Sequence, residues 1–454
     1  MKLFHKTDSA MLTEGHLLKG LGLLSTPMLV SAVLQNLQSL IDLFWVGSLG
    51  PNALAAVAMG ATVLMVLFPM LMGLSTGTIA LVARAIGAGR SDEASAAAGQ
   101  SLMLALVLGA VTGVVAWHFS DALLLLLGAA PEVVADGGSF LRISLLGSFT
   151  VFVLFIGNAA LQGAGDAITP MVIMAVSTVL NVVLEPIFIF GFGPVPAMGV
   201  PGAALATVLA QAVAACMAVH ILFSGRARLR TRLAHCRPNL ALSWRILRIG
   251  IPGSGQMLSR SLVGAVLMRI VATCGTAAVA AYGTGLRLHM IILMPAFALG
   301  GAAATMVGQN LGAGKPGRAR KAAWVATAVD VLIMVAAALL LMVCARGLIR
   351  VFNQDAAVVE IGADYLRTVS PFYVFAALGI VLGRALNGAG DSLWPMIFTM
   401  ISLWGLQLPL AFYFSQSWSQ PTHGIWWAIV IATIAHGTLI AAWFETGRWK
   451  KLKV

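Results

Sequence analysis

Long apolar runs follow one another through this chain, separated by short polar or Gly/Pro-rich breaks. A helix needs about 20 predominantly apolar residues to cross a hydrocarbon core. The pattern predicts twelve such helices, over residues 17–46, 52–80, 94–119, 137–163, 167–192, 198–223, 245–272, 276–307, 318–345, 362–387, 392–417 and 422–447. The expected fold class is therefore an all-α polytopic membrane protein with 12 transmembrane helices.

Composition agrees. Of 454 residues, 59% are hydrophobic and only 10% charged, against about 25% charged in an average soluble domain. Small residues let membrane helices approach closely, which fits the 48 glycines. A formal charge of +12 would suggest nucleic acid as a partner for a soluble protein, but its distribution excludes that reading. Lys2, Lys6, Arg84, Arg90, Arg226, Arg228, Arg230, Arg232, Arg237, Lys315, Arg318, Arg320, Lys321, Arg448, Lys450, Lys451 and Lys453 fall before the first segment, in even-numbered loops or after the last. The positive-inside rule then puts both termini in the cytoplasm of a bacterial-type inner membrane. Odd-numbered loops are poor in Lys and Arg apart from Arg346 and Arg350, which sit with Asp355 and Glu360. The first apolar run follows a polar stretch reaching about Glu14 and lacks the form of a cleavable signal. Cys216, Cys236, Cys274 and Cys344 match no metal spacing and imply no disulfide framework.

A shift of 225 residues lays the second half on the first without a gap. Pro27 meets Pro252, Gly50 meets Gly275, and Leu161-Gln-Gly-Ala-Gly-Asp166 with Pro170 meets Leu386-Asn-Gly-Ala-Gly-Asp391 with Pro395. Six helices per copy is an even number, so the copies are parallel repeats. The domains read as an N-terminal six-helix lobe at 1–223, a cytoplasmic linker at 224–244 and a C-terminal six-helix lobe at 245–454. Transporters built this way hold substrate between the lobes and rock to change which side has access.

One stretch stands out chemically. Asn181-Val-Val-Leu-Glu-Pro-Ile-Phe-Ile-Phe190 is apolar enough for a bilayer yet carries Glu185, with Pro186 removing a backbone donor beside it. An acid at the centre of a membrane helix costs about 2.5–3.5 kcal/mol even on lenient scales, so it is read as functional. The repeat supplies a control, because Asp42, Asn181, Glu185 and Thr207 fall on Leu267, Leu406, Leu410 and Ala432. Spacing of three and four residues puts Gln35, Gln38, Ser39 and Asp42 on one face of the first helix. Asn181 and Glu185 lie one turn apart, as do Thr207 and Gln211. Oxygen ligands from three helices, two of them carboxylates, suit a shared proton or a small hard cation such as Na+ at Asp42, Asn181, Glu185 and Thr207. Gln38 and Ser39 taken alone read as interhelical packing bonds.

Other polar groups read as structural. Asp166 and Asp391 follow loop glycines and should cap the next helix. Gly87-Ala-Gly-Arg90 and Gly312-Ala-Gly-Lys315 lack the rest of a phosphate loop. His289 and His436 read as hydrogen-bonded packing residues. Asp330 is a candidate counter-ion for Arg260, Arg269 or Arg287. No nucleophile–base or metal constellation marks an enzyme.

Over nearly its whole length the chain resembles the multidrug and toxic compound extrusion (MATE) family. The matching pieces are Pro27, Leu40-Ile-Asp-Leu-Phe-Trp-Val-Gly47, Leu54-Ala-Ala56, Ala85-Ile-Gly-Ala-Gly89, Leu161-Gln-Gly-Ala-Gly-Asp166 with Thr169-Pro170, Asn181-Val-Val-Leu-Glu-Pro186 and Gly202-Ala-Ala-Leu-Ala-Thr207. The resemblance implies a V-shaped pair of six-helix bundles and antiport of amphipathic, often cationic compounds against H+ or Na+, with no other cofactor. It carries ion-coupling roles over to Asp42, Asn181, Glu185 and Thr207. Where the norfloxacin-exporter branch has a helix 7 glutamate this chain offers Arg260, and it looks closer to the branch of the DNA-damage-inducible F protein. The helix 5 acid, usually Asp in those relatives, is here Glu185. Expected partners are amphipathic small molecules and the lipid bilayer, with the monomer as the working unit. A lipid-linked sugar flippase of the same superfamily is the rival, for which more helices and a strongly cationic cavity are expected.

Overall fold

A computed structural model describes residues 9–126, 128, 131–225 and 228–452; Lys2, Lys6, Arg226 and Lys453 of the basic set lie outside these. Twelve helical segments follow the sequence pattern. They are α1 (Leu17–Gly47), α2 (Pro51–Gly87), α3 (Ser91–Leu126), α4 (Pro131–Leu146 and Ser148–Gly163), α5 (Ile168–Phe190) and α6 (Val200–Ser224), then α7 (Leu240–Ala272), α8 (Thr276–Gly312), α9 (Pro316–Phe352), α10 (Ala356–Gly388), α11 (Leu393–Ser417) and α12 (Pro421–Glu445). Among the described residues the only extended pairing is a single bridge, Phe192 to Val195, in the turn between α5 and α6.

Ten of these helices are long and apolar enough to cross a membrane, and α4 makes eleven if its two pieces, bent by 44°, are one span. The twelfth, α7, has ample length at 33 residues, but Arg245, Arg248, Arg260 and Arg269 dilute its apolar character. Large side chains such as Phe44 and Val343 stand exposed at 71% and 81%, an arrangement suited to acyl chains rather than water. Several helices outrun the segments expected from hydropathy, continuing into polar residues beyond the apolar run. At the start of α10, Asp355 accepts from the backbone N–H groups of Ala357 and Val358 at 2.8 and 3.1 Å.

The repeat extends to backbone detail. Gly165 and Gly390 are equivalent, and each adopts a left-handed φ, +87° and +89°, that a side chain would resist. The Asp after each glycine caps as expected: Asp166 accepts from Thr169 N and Oγ1, at 3.0 and 2.6 Å. Asp391 accepts from the Trp394 backbone and, at 2.9 Å, from Trp443 Nε1.

The chain forms two compact units, one holding Thr26–Ile251 and the other Leu12–Ser25 with Pro252–Val454. The divisions fall within α1 and α7, beside the repeat-equivalent Pro27 and Pro252. In the first unit the segment following α6 is fastened to α3 by the buried Gln100. Gln100 Nε2 donates to His235 O and Arg237 O at 2.8 and 2.5 Å, and its Oε1 accepts from Asn239 N and Ser243 Oγ at 3.0 and 3.2 Å. In the second unit Asn310 Nδ2 donates to Leu12 O at 3.1 Å and Lys315 pairs with Glu14 at 2.9 Å, while Arg318 donates to Gly15 O. The hydrogen bond from Lys315, and then its charge, hold the Glu14 carboxyl below its usual range. This unit also packs Tyr282, Tyr365 and Trp426 together, with Tyr282 stacked on Trp426 at 5.6 Å.

Candidate functional site

The acid site forms where α1, α5 and α6 approach one another in the first unit. Gly202 makes the approach of α6 possible, since a Cβ there would stand 2.3 Å from Phe188 O. Val46, Ile189, Val200 and Ala203 fill the contact, and Trp45 of α1 meets Phe190 of α5 edge to face at 6.0 Å. Without a hydrophobic drive between helices in lipid, close packing of small residues is what fixes such an arrangement.

This packing brings Asp42, Asn181, Glu185 and Thr207 together. Asn181 Nδ2 donates to Thr207 Oγ1 at 3.1 Å, and the Thr207 hydroxyl donates to Ala203 O at 3.1 Å. The Asp42 carboxyl faces that of Glu185, with the Asn181 amide beside it. Asn181 and Glu185 are completely buried. Four buried oxygens, Asp42 Oδ1, Asn181 Oδ1 and both Oε atoms of Glu185, find no donor among the described residues. Buried acceptors are normally satisfied, and ionised carboxylates accept only. The set therefore fits a proton held between the two acids or a small hard cation, either of which satisfies oxygens that the protein leaves bare. Pro186 adds to this by freeing the Val182 carbonyl one turn before it.

The supporting residues divide. Gln38, one turn before Asp42, is buried, whereas Gln35 and Ser39 are exposed, and the Ser39 hydroxyl returns to Gln35 O at 3.2 Å within its own helix. Gln211 is half-buried one turn beyond Thr207. The four residues expected to share one face of α1 thus divide into buried Gln38, half-buried Asp42 and an exposed pair, because neighbouring helices cover only part of that face.

In the second unit the ion pair expected for Asp330 does not form among the described residues. Asp330 is fully buried with both carboxyl oxygens lacking a donor, while Arg269 and Arg287 are exposed. Arg260 instead donates to His436 Nε2 at 3.2 Å. His289 is a packing residue, bonded to the Tyr373 hydroxyl at 2.9 Å. Hydropathy reading missed Arg384, which lies near Arg260; the signal available was an arginine inside an apolar span.

The MatE family model matches residues 27–187 and 252–413, two stretches whose starts differ by the repeat shift. A protein of Bacillus subtilis named "Probable multidrug resistance protein YpnP" is 30% identical over 445 residues, covering 97% of this chain and 98% of its own. "Probable multidrug resistance protein NorM" of Thermotoga maritima is 29% identical over 435 residues, covering 95% and 93%. The solved structure described as "MATE in the bent conformation" superposes with a TM-score of 0.91 at 29% identity, covering 97% of this chain and 98% of that one. With both halves matched and nearly every helix superposed, the chain belongs to the MatE family and is a multi-pass membrane transporter rather than an enzyme.

Proposed function

We propose that this transporter exports amphipathic, often cationic compounds in exchange for a cation bound at Asp42 and Glu185. H+ is the main driver in this reading, and Na+ is the alternative ligand of the same oxygens. The observation that supports it is the facing pair of acids with four donor-less buried oxygens, present in the first unit and replaced by leucines in the repeat. The names of the relatives support drug-like substrates.

The chemistry follows from charge. One proton between the two carboxyls supplies the missing donor; when it leaves, two negative charges face each other in an apolar setting. A cationic compound offers the alternative neutralisation, so proton and drug compete, and exposing the pair alternately to two compartments turns competition into exchange. Glu185 reaches one methylene farther than Asp, which relaxes the tight geometry a small metal ion requires and hardly affects protonation. All four coupling residues belong to one unit of one chain, which is why the monomer is taken as the working unit. The membrane is of the bacterial inner type, with both termini on the cytoplasmic side, from the placement of Lys and Arg.

The test is an imposed pH gradient across proteoliposomes in sodium-free buffer, with efflux of a fluorescent cationic drug as readout. Drug movement driven by the pH gradient alone is expected. Movement that appears only with a Na+ gradient would falsify proton coupling.

A further inference from the structure

The second unit carries a basic cluster for which the acid pair has no use. Arg260 of α7, Arg384 of α10 and His436 of α12 lie together, with Gln256 and Thr399 completing the set. The repeat relates them to the first unit: Arg260 falls on Gln35 and His436 on Gln211, while the acids Asp42 and Glu185 fall on Leu267 and Leu410. Positions flanking an acid site in one copy are thus basic in the other, and the acids themselves are gone.

The partners of the cluster orient it without neutralising it. Arg260 Nη2 donates to His436 Nε2 at 3.2 Å, and because arginine has no acceptor that nitrogen carries a lone pair and the imidazole is neutral. Thr399 Oγ1 lies 3.2 Å from the same nitrogen, and Gln256 Nε2 donates to Thr399 Oγ1 at 3.0 Å. Arg384 lies over the Phe297 ring at 5.3 Å, its stem packed against Gly300, where a Cβ would come within 3.0 Å of it. The two guanidinium groups are close enough to repel, and among the described residues neither forms an ion pair. Asp330, the acid buried in α9, pairs with neither.

The helices are locally reshaped around these side chains. A π-helical turn, Leu378–Leu382, ends two residues before Arg384, and another, Ile401–Gln407, begins two residues after Thr399. Such turns inside α-helices concentrate at functional sites. Gly379, in the first of them, leaves room for the imidazole, since a Cβ there would stand 2.4 Å from His436 Nδ1.

Charge inside a membrane domain is costly, and two like charges without a counter-ion doubly so. We propose that Arg260 and Arg384 form a binding site for the anionic group of an amphipathic ligand, a carboxylate or phosphate, with His436, Thr399 and Gln256 positioning Arg260. Planar guanidinium forks match such oxyanions in bidentate fashion.

The test uses the full chain in phosphatidylcholine nanodiscs, titrated with octyl phosphate and, as a neutral control, octanol. Saturable binding of octyl phosphate is expected, with no comparable binding of octanol. In an Arg260→Gln/Arg384→Gln double variant the dissociation constant should rise about tenfold or more. Arg260→Lys/Arg384→Lys retains charge without the fork and should fall between; it also serves if the glutamine variant fails to fold. Competition by inorganic phosphate assigns a soluble anion, and blockage in discs containing phosphatidylglycerol assigns a lipid headgroup; either supports the site. Unchanged affinity in the lysine or glutamine variants, or equal binding of octanol, overturns it. Binding is read without transport, so its failure leaves the exchange at Asp42 and Glu185 untouched.

Discussion

The bond between Asn181 and Thr207 lends itself to a double-mutant cycle in which each residue takes the identity of its repeat partner, Asn181→Leu and Thr207→Ala. Thr207→Ala strands one N–H of a completely buried amide, a loss of about 1–3 kcal/mol. Asn181→Leu leaves the Thr207 hydroxyl bonded to Ala203 O, so its cost comprises the interhelical bond, the amide's contact with Asp42 and local repacking. Interhelical hydrogen bonds in membranes average about 0.6 kcal/mol and reach about 1.7 kcal/mol. The double variant strands no amide N–H, and its loss at Asp42 is shared with Asn181→Leu and cancels, so its destabilisation should fall short of the sum of the singles by an amount in that range. Reversible unfolding in mixed micelles measures all four corners. Because the Asn181 amide lies beside Asp42, Thr207→Ala should also slow efflux driven by a pH gradient. Additivity within about 0.3 kcal/mol would show that this bond does not hold α6 to α5.

Gln100→Leu should release the segment after α6, since it leaves two carbonyls, one N–H and one hydroxyl without their partner, a local loss of about 2–4 kcal/mol. Amide exchange over residues 229–239 should quicken at least about tenfold, and unchanged protection contradicts this reading of the linker. For topology, a cysteine introduced near Arg230 should resist an impermeant reagent in intact cells and react in inverted vesicles; labelling from outside would reverse the assigned orientation.

The helices and the repeat were legible because a bilayer imposes length and apolarity on each span, and because duplication left Pro27 and Pro252, and the two Gly-Ala-Gly-Asp motifs, in register. The acids were legible because an ionisable group in such a span is expensive. What spacing did not reveal was which part of a helix face its neighbours cover: Gln35 shares the face of Asp42 yet stands exposed, while Gln38 is buried. Asp330 shows the same limit, since sequence places an acid and several arginines in one lobe without saying that their side chains do not meet. Arg260 found its partner in His436, 176 residues away, a contact that hydropathy and helical periodicity do not encode.

The most direct measurement of the central claim is drug-coupled proton movement in proteoliposomes for the wild type and for Asp42→Asn and Glu185→Gln. Each substitution is nearly isosteric and removes one of the two facing carboxylates, while Leu267→Asn places an amide at the equivalent position of the second unit. Both acid variants should insert and fold yet lose coupled efflux, and Leu267→Asn should retain it. Wild-type rates of drug and proton exchange in both acid variants would contradict the assignment of the acid pair as the coupling site.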